Sequence, residues 1–154
     1  GSTMTAGFTR TLVLIVAATT LCGVLVLSAC HRPADEVLVR QAIESTAQAA
    51  EKGSATGVAS ALTEDFGGNA GALDRRALSG MVGMLALRGE QVKVNLGPIG
   101  VEHRGERLVA TFTVALRSGG RLLPDNLGVY QVETAWRLDD GDWRCYSATW
   151  KQTL

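Results

Sequence analysis

The sequence predicts an α+β domain: N-terminal helices packed on a curved antiparallel sheet. Three observations carry this. Apolar residues recur at helical spacing from residue 35 to residue 87. Strand-like alternation replaces that spacing from residue 92 onward. The two regimes do not interleave, so the chain lacks the pattern of a parallel α/β sheet.

The first helix starts at Asp35, a plausible N-cap. Glu36, Arg40, Glu44, Gln48 and Lys52 fall at steps of four and form a polar stripe with favourable pairing along the helix. Val39, Ile43, Ala47 and Ala50 form the opposite stripe, and Gly53 can end the helix. Ser54 caps a second, shorter helix carrying Val58 and Leu62. "DFGGNAGALD" reads as a turn region, which leaves room for only a very short first strand there. Asp74 caps a third helix. Leu73 and Leu78 sit at staple positions, and Leu78, Met81, Val82 and Leu85 continue its apolar face to Gly89. Gly80 and Gly83 weaken this helix and would let it approach a sheet closely.

Val92, Val94 and Leu96 open the strands. Gly97-Pro98 interrupts them as at an edge, and Ile99, Val101 and His103 resume the alternation. "RGER" turns the chain back into "LVATFTVAL". After "SGGRLLPDNLG" comes "VYQVETAWRL", then the turn "DDGD", then "WRCYSATW". With "DDGD" as a hairpin turn, Leu138 pairs with Trp143, Trp136 with Cys145, Thr134 with Ser147 and Val132 with Thr149. The reverse face sets Arg137 against Arg144 and Glu133 against Ala148. Two facing arginines put that side in water, together with Tyr146 and Trp150. Upstream, Arg104 and Arg107 flank the turn, so His103 faces Leu108, Val101 faces Ala110 and Ile99 faces Phe112.

Before the domain the chain has a different character. Gly1-Ser2-Thr3 precede Met4 and read as a cloning remnant (residues 1–3). Residues 4–29 combine one positive charge, Arg10, with the apolar run "TLVLIVAATTLCGVLVLSA", which is the layout of a secretory signal. The run is nearly long enough to span a bilayer, so an uncleaved helix is one alternative, and plain secretion is the other. Leu27-Ser28-Ala29-Cys30 resembles the bacterial lipobox, in which small residues leave the bond before a cysteine open to a peptidase. That resemblance implies that Cys30 becomes an acylated first residue, with residues 30–34 as a short tether to a domain over residues 35–154. Acyl chains on Cys30 would hold the body close to the membrane. His31 next to the cysteine resembles the outer-membrane sorting signal of proteobacterial lipoproteins, which implies an envelope location facing the periplasm.

The 15 acidic and 15 basic residues give a formal charge of zero. No acidic residue and only Arg10 of the basic ones precede Cys30, so the remainder carries −1. Such a body has no electrostatic footprint for nucleic acid. The sequence has no Cys/His cluster at metal-ligand spacing, and its glycines lack the Lys-Ser/Thr of a phosphate loop, so no cofactor or metal is expected. Beyond Cys22 in the leader and Cys30, Cys145 is the one remaining thiol. Its place in an alternating strand reads as a small buried hydrophobe.

Three features together resemble the nuclear transport factor 2-like superfamily, also called cystatin-like or ketosteroid-isomerase-like. They are the opening "VRQAIESTAQAAEKGSATGVASALTEDF", the "DRRALSGMV" helix and the closing hairpin "YQVETAWRLDDGDWRCYSATW". The resemblance covers almost everything after residue 34. It implies a cone whose concave face holds a ligand or an active site. Enzymes of this kind place a carboxylate base, a His–Asp pair or a Tyr hydroxyl inside the cone.

Here the strands contribute no carboxylate to the concave face. His103 at its rim, without an obvious acidic partner, Tyr130 and the loop residue Asp125 are the only candidates for acid–base chemistry. The concave wall itself, Ile99, Val101, Phe112, Val114, Tyr130, Val132, Trp136 and Trp143, is suited to an apolar small molecule. Leu122, Leu123 and Leu127 around a Pro-Asp turn, with Tyr146 and Trp150 on the outer sheet face, are candidates for a protein partner: a homodimer or an envelope complex. The leading expectation is a non-catalytic, membrane-anchored binding or assembly module. A small cofactor-free isomerase, dehydratase or cyclase, and a purely structural dimerisation domain, are the alternatives.

Overall fold

A computed structural model describes residues 34–119 and 126–154. The leader, Cys30 and its tether, and Leu122, Leu123 and Asp125 lie outside the described residues. Residues 34–154 form a compact unit with its own core. Among the described residues no helix is long and apolar enough to cross a membrane.

Among the described residues the helices are α1 (Asp35–Glu51), α2 (Ala55–Ser60) and α3 (Arg75–Leu87). Seven strands form one curved, unclosed sheet: β1 (Leu62–Gly68), β2 (Leu73–Asp74), β3 (Val92–Leu96), β4 (Gly100–Arg104), β5 (Arg107–Ser118), β6 (Asn126–Asp139) and β7 (Asp142–Gln152). Their order is β2-β1-β7-β6-β5-β3, with β4 on the same edge of β5 as β3. The expected α+β architecture is therefore present, with two differences around β1. Leu62, expected on the second helix, lies beyond its end at Ser60 and opens β1. β1 is a full seven-residue strand, and it runs parallel to β7. "LTEDFGG" hides this because its pairing is interrupted between Leu62 and Gly67, which breaks the alternation.

The helix ends follow local chemistry. Ser54 accepts a hydrogen bond from the Gly57 amide, and Asp74 Oδ1 accepts one from Ala77 at 2.7 Å. Gly53 ends α1 at φ +69°, and a Cβ there would stand 2.4 Å from the Ala86 Cβ. The α1 N-cap is Ala34 rather than Asp35. Asp35 is instead the first helical residue, and its carboxylate accepts the Trp143 indole N–H at 3.1 Å.

Two residues of the α1 polar stripe, Glu36 and Arg40, reach across to the sheet edge, and Glu51 next to the stripe does the same. Glu36 meets His103 at 2.6 Å, Arg40 donates to the Ile99 carbonyl at 3.1 Å, and Glu51 accepts the Val94 amide at 3.1 Å. These bonds lay α1 beside the exposed side of β3 and β4, an edge that would otherwise invite pairing. Gly83 of α3 makes its close approach to α2 rather than to the sheet. A Cβ at Gly83 would lie 3.3 Å from the Ala55 Cβ.

The β6–β7 hairpin holds the expected register only near its turn. Leu138 pairs with Trp143, Arg137 with Arg144 and Trp136 with Cys145. A bulge between Ala135 and Trp136 then shifts every later pair by one. Thr134 faces Ala148, Val132 faces Trp150 and Glu133 faces Thr149. A one-residue slip moves side chains to the other face. Ala148 is therefore buried, and Trp150 packs against the core instead of standing in solvent. Its ring lies so close to Gly68 that a Cβ there would come within 2.7 Å. Asn69 Oδ1 also accepts the Trp150 amide at 2.9 Å.

Candidate functional site

Helices α1, α2 and α3 do not fill the concave face. Between them and the sheet lies a cavity of about 260 Å³. Small side chains make the space: Ala47 and Ala50 on α1, Ala61 after α2, and Ala148 on β7. Larger residues bound it, among them Ile43, Phe66, Leu78, Val82, Val94, Leu96, Leu116 and Trp136.

Three polar side chains reach the wall, and each is already engaged. Thr46 donates to the Ala42 carbonyl at 2.7 Å, one turn back in α1. Thr134 donates to the Ala110 carbonyl at 3.2 Å and accepts the Trp136 indole N–H at 2.7 Å. Cys145 donates to the Ser147 carbonyl at 3.2 Å, and burial pushes its thiol up to about 12, so it stays protonated and inert. No carboxylate, imidazole or phenol is among the described lining residues. An apolar cavity of this size excludes water and accepts an apolar guest. It is slightly smaller than the ~300 Å³ at which common small-molecule sites begin. The space therefore suits a compact apolar molecule or the apolar end of a larger one.

Of the expected wall, Phe112, Val114 and Trp136 line the cavity. Ile99 and Val101 pack against the core but not around this space. Trp143 is held at the start of α1 by Asp35, and Val132 and Tyr130 are also absent from the wall. The Tyr130 hydroxyl donates to the Leu127 carbonyl at 3.2 Å, and Leu127 is half-buried. The helix residues that bound the cavity were missed as site residues. Their signal was the apolar α1 stripe, in which alanines stand where larger residues would fill the core.

His103 does not face the cavity. It is exposed and bound to Glu36, an acidic partner 67 positions away that the strand pattern cannot reveal. The Glu36 carboxyl is held below its ordinary range by its backbone hydrogen bond and by the His103 ring. On the outer sheet face, Arg137 binds Asp65 through both guanidinium NH groups, at 2.8 and 3.2 Å, and stacks 5.4 Å from the centre of the Tyr146 ring. Arg107 donates to the Tyr146 hydroxyl at 3.1 Å. Tyr146 thus sits on the outer face as expected, within a polar network of its own chain. Among the described residues no three His, Cys, Asp or Glu side chains converge as metal ligands.

A half-open cone with helices over its mouth and an apolar chamber beneath them defines a class of α+β cone folds. The particular fold is nuclear transport factor 2-like, or cystatin-like. An NTF2-like protein with a cystatin-like fold from Novosphingobium aromaticivorans superposes with a TM-score of 0.64 at 18% identity, covering 87% of this chain and 88% of that one. An NTF2-like protein from Cytophaga hutchinsonii gives a TM-score of 0.65 at 10% identity, over 79% of this chain and all of the other. A putative dehydratase from the NTF2-like family of Streptomyces avermitilis gives 0.63 at 17% identity, over 78% and 96%. No protein-family model and no curated protein matches the sequence. At these identities the likeness is one of fold.

Proposed function

We propose that this chain is a non-catalytic binding module of the bacterial cell envelope. In this reading Cys30 is acylated and anchors it, in the outer membrane with the domain facing the periplasm. The cone holds a compact apolar ligand. The observation that carries the binding role is the cavity wall, which is apolar and whose three polar side chains are all turned to bonds within the protein. Dehydration or isomerisation needs a base aimed at an acidic C–H. The described lining offers only a thiol with a pKa of about 12. The anchoring role rests on the leader, the lipobox-like Leu27-Ser28-Ala29-Cys30, and the four residues between Cys30 and the start of the domain.

The test uses the domain from His31 onward, whose core is complete within residues 34–154, purified from a bacterial host. Its mass is recorded under native and denaturing conditions, and it is extracted with organic solvent. An apolar species present in stoichiometric amount and lost on denaturation supports the reading. A clean mass that no apolar probe changes overturns it. Anchoring is tested separately on the full chain, where acylation of Cys30 adds a hydrophobic mass that Cys30→Ser abolishes.

A further inference from the structure

We propose that α3 docks antiparallel on the same helix of a second copy of this chain, about a two-fold axis passing beside Met81. Asp74, Ala77, Met81, Met84 and Arg88 recur at steps of three and four, the seam spacing of paired helices. They border an open groove of about 670 Å³ on the outside of α3. Leu78 and Val82, on the other side of the helix, face the core. The outer stripe has no such cover among the described residues: Met81 and Met84 are 52% and 54% exposed.

The stripe is complementary to itself only when reversed. Antiparallel pairing about Met81 sets Asp74 against the Arg88 of the other copy, and two-fold symmetry makes that charge pair twice. It also sets the small Ala77 against Leu85. Parallel pairing would place Asp74 on Asp74 and Arg88 on Arg88. One oxygen of Asp74 caps the helix at 2.7 Å, and the other can meet a guanidinium. Arg76 stands on the rim of the groove.

Gly80 supplies an independent observation. Glycine is the poorest helix former after proline, yet a Cβ at Gly80 would meet nothing within 4 Å, and its backbone is not left-handed. Among the described residues nothing approaches this glycine closely enough to require it. In the pair it forms the notch that receives the Met81 side chain of the other copy. This surface is distinct from the outer sheet face, where Trp150 turns inward and Tyr146 is engaged with Arg107 and Arg137. One helix face is smaller than the ~800 Å² per partner of a standard interface, so the association is weak in dilute solution. Copies confined to one membrane surface would meet at higher effective concentration, which rests on the anchoring reading. The pairing itself does not, and it is tested in solution.

Met81→Cys, Met84→Cys and Ala77→Cys are oxidised mildly in the domain from His31 onward. The helix rise offsets the two copies' position 84 by about 9 Å and position 77 by about 12 Å, while position 81 lies on the axis. A disulfide tolerates a Cα separation of only about 7 Å. Met81→Cys should therefore cross-link at least about tenfold faster than either other variant, and Arg88→Glu added to it should remove that advantage. Sedimentation of the unmodified domain up to about 1 mM should show a dimer that Arg88→Glu weakens about tenfold. A monomer at every concentration, equal cross-linking at the three positions, or indifference to Arg88→Glu would each overturn the proposal.

Discussion

Ala47→Leu asks whether the chamber under α1 is usable space. Ala47 lines a cavity of about 260 Å³, and leucine adds three carbons. At about 0.8 kcal/mol per buried methylene, complete burial stabilises by up to ~2.4 kcal/mol. Fixing the longer side chain costs about 0.5–1 kcal/mol, so the net gain is about 1.5 kcal/mol. For a domain of this size that raises the melting temperature by about 3–9 °C. The same leucine occupies the space a guest would take, so stability and binding move in opposite directions. The assay is thermal unfolding followed by circular dichroism, on ligand-free domain, with and without toluene as an apolar probe. The wild type should melt higher with the probe, and Ala47→Leu should melt higher without it and ignore it. In a solid core the added carbons would overpack and destabilise by about 1–3 kcal/mol. A lower melting temperature for the variant, or an undiminished response to toluene, would refute the reasoning.

Four further outcomes are expected. Trp150→Ala should destabilise by about 2–4 kcal/mol because its ring packs on the core, whereas Tyr146→Ala on the outer face should cost less than about 1 kcal/mol by urea denaturation. Gly68→Ala should also destabilise, by about 1–3 kcal/mol, since its Cβ would meet the Trp150 ring at 2.7 Å. The Cys145 thiol should react with an aromatic disulfide reagent only as fast as the protein opens, because it is buried and its pKa is raised to about 12. Two carboxyls have lowered pKa values: Glu36, through its backbone hydrogen bond and His103, and Asp65, through the Thr63 hydroxyl and Arg137. Their contribution is full above the ordinary values of 4.5 and 3.8 and is lost as pH falls through the lower folded values, so Glu36→Gln with Asp65→Asn should flatten the acid side of the urea-midpoint profile.

What the sequence disclosed and what it concealed divide along the range of the interactions. The caps at Ser54 and Asp74 are decided within three residues, and both were legible. The β6–β7 pairing was legible from the turn as far as Trp136 and Cys145. Beyond it a single bulge reversed the faces, and no local pattern announces one extra residue, so Trp150 was assigned to solvent. β1 was concealed because a parallel partner lies about 80 residues away and the strand's pairing is broken in the middle. The Glu36–His103 contact joins a helix to a strand across 67 positions and depends on where the sheet edge meets α1. The cavity was half legible. The strand wall gave Phe112, Val114 and Trp136, but the space itself comes from alanines on the helices and on β7, and an alanine in an apolar stripe reads equally as tight packing.

The place of β7 in the sheet bears on the order in which this chain can fold. β7 follows every other strand in sequence, yet it lies in the middle of the sheet, bonded to β1 on one side and β6 on the other. Until residues 142–152 are available, β1 and β2 have no sheet to join and the core residues Cys145 and Ala148 are missing. Such long-range closure makes folding slow and all-or-none. A chain that emerges from its N-terminus therefore cannot close its core until its last strand is free, and a truncation within β7 should leave the whole sheet unformed rather than one edge frayed.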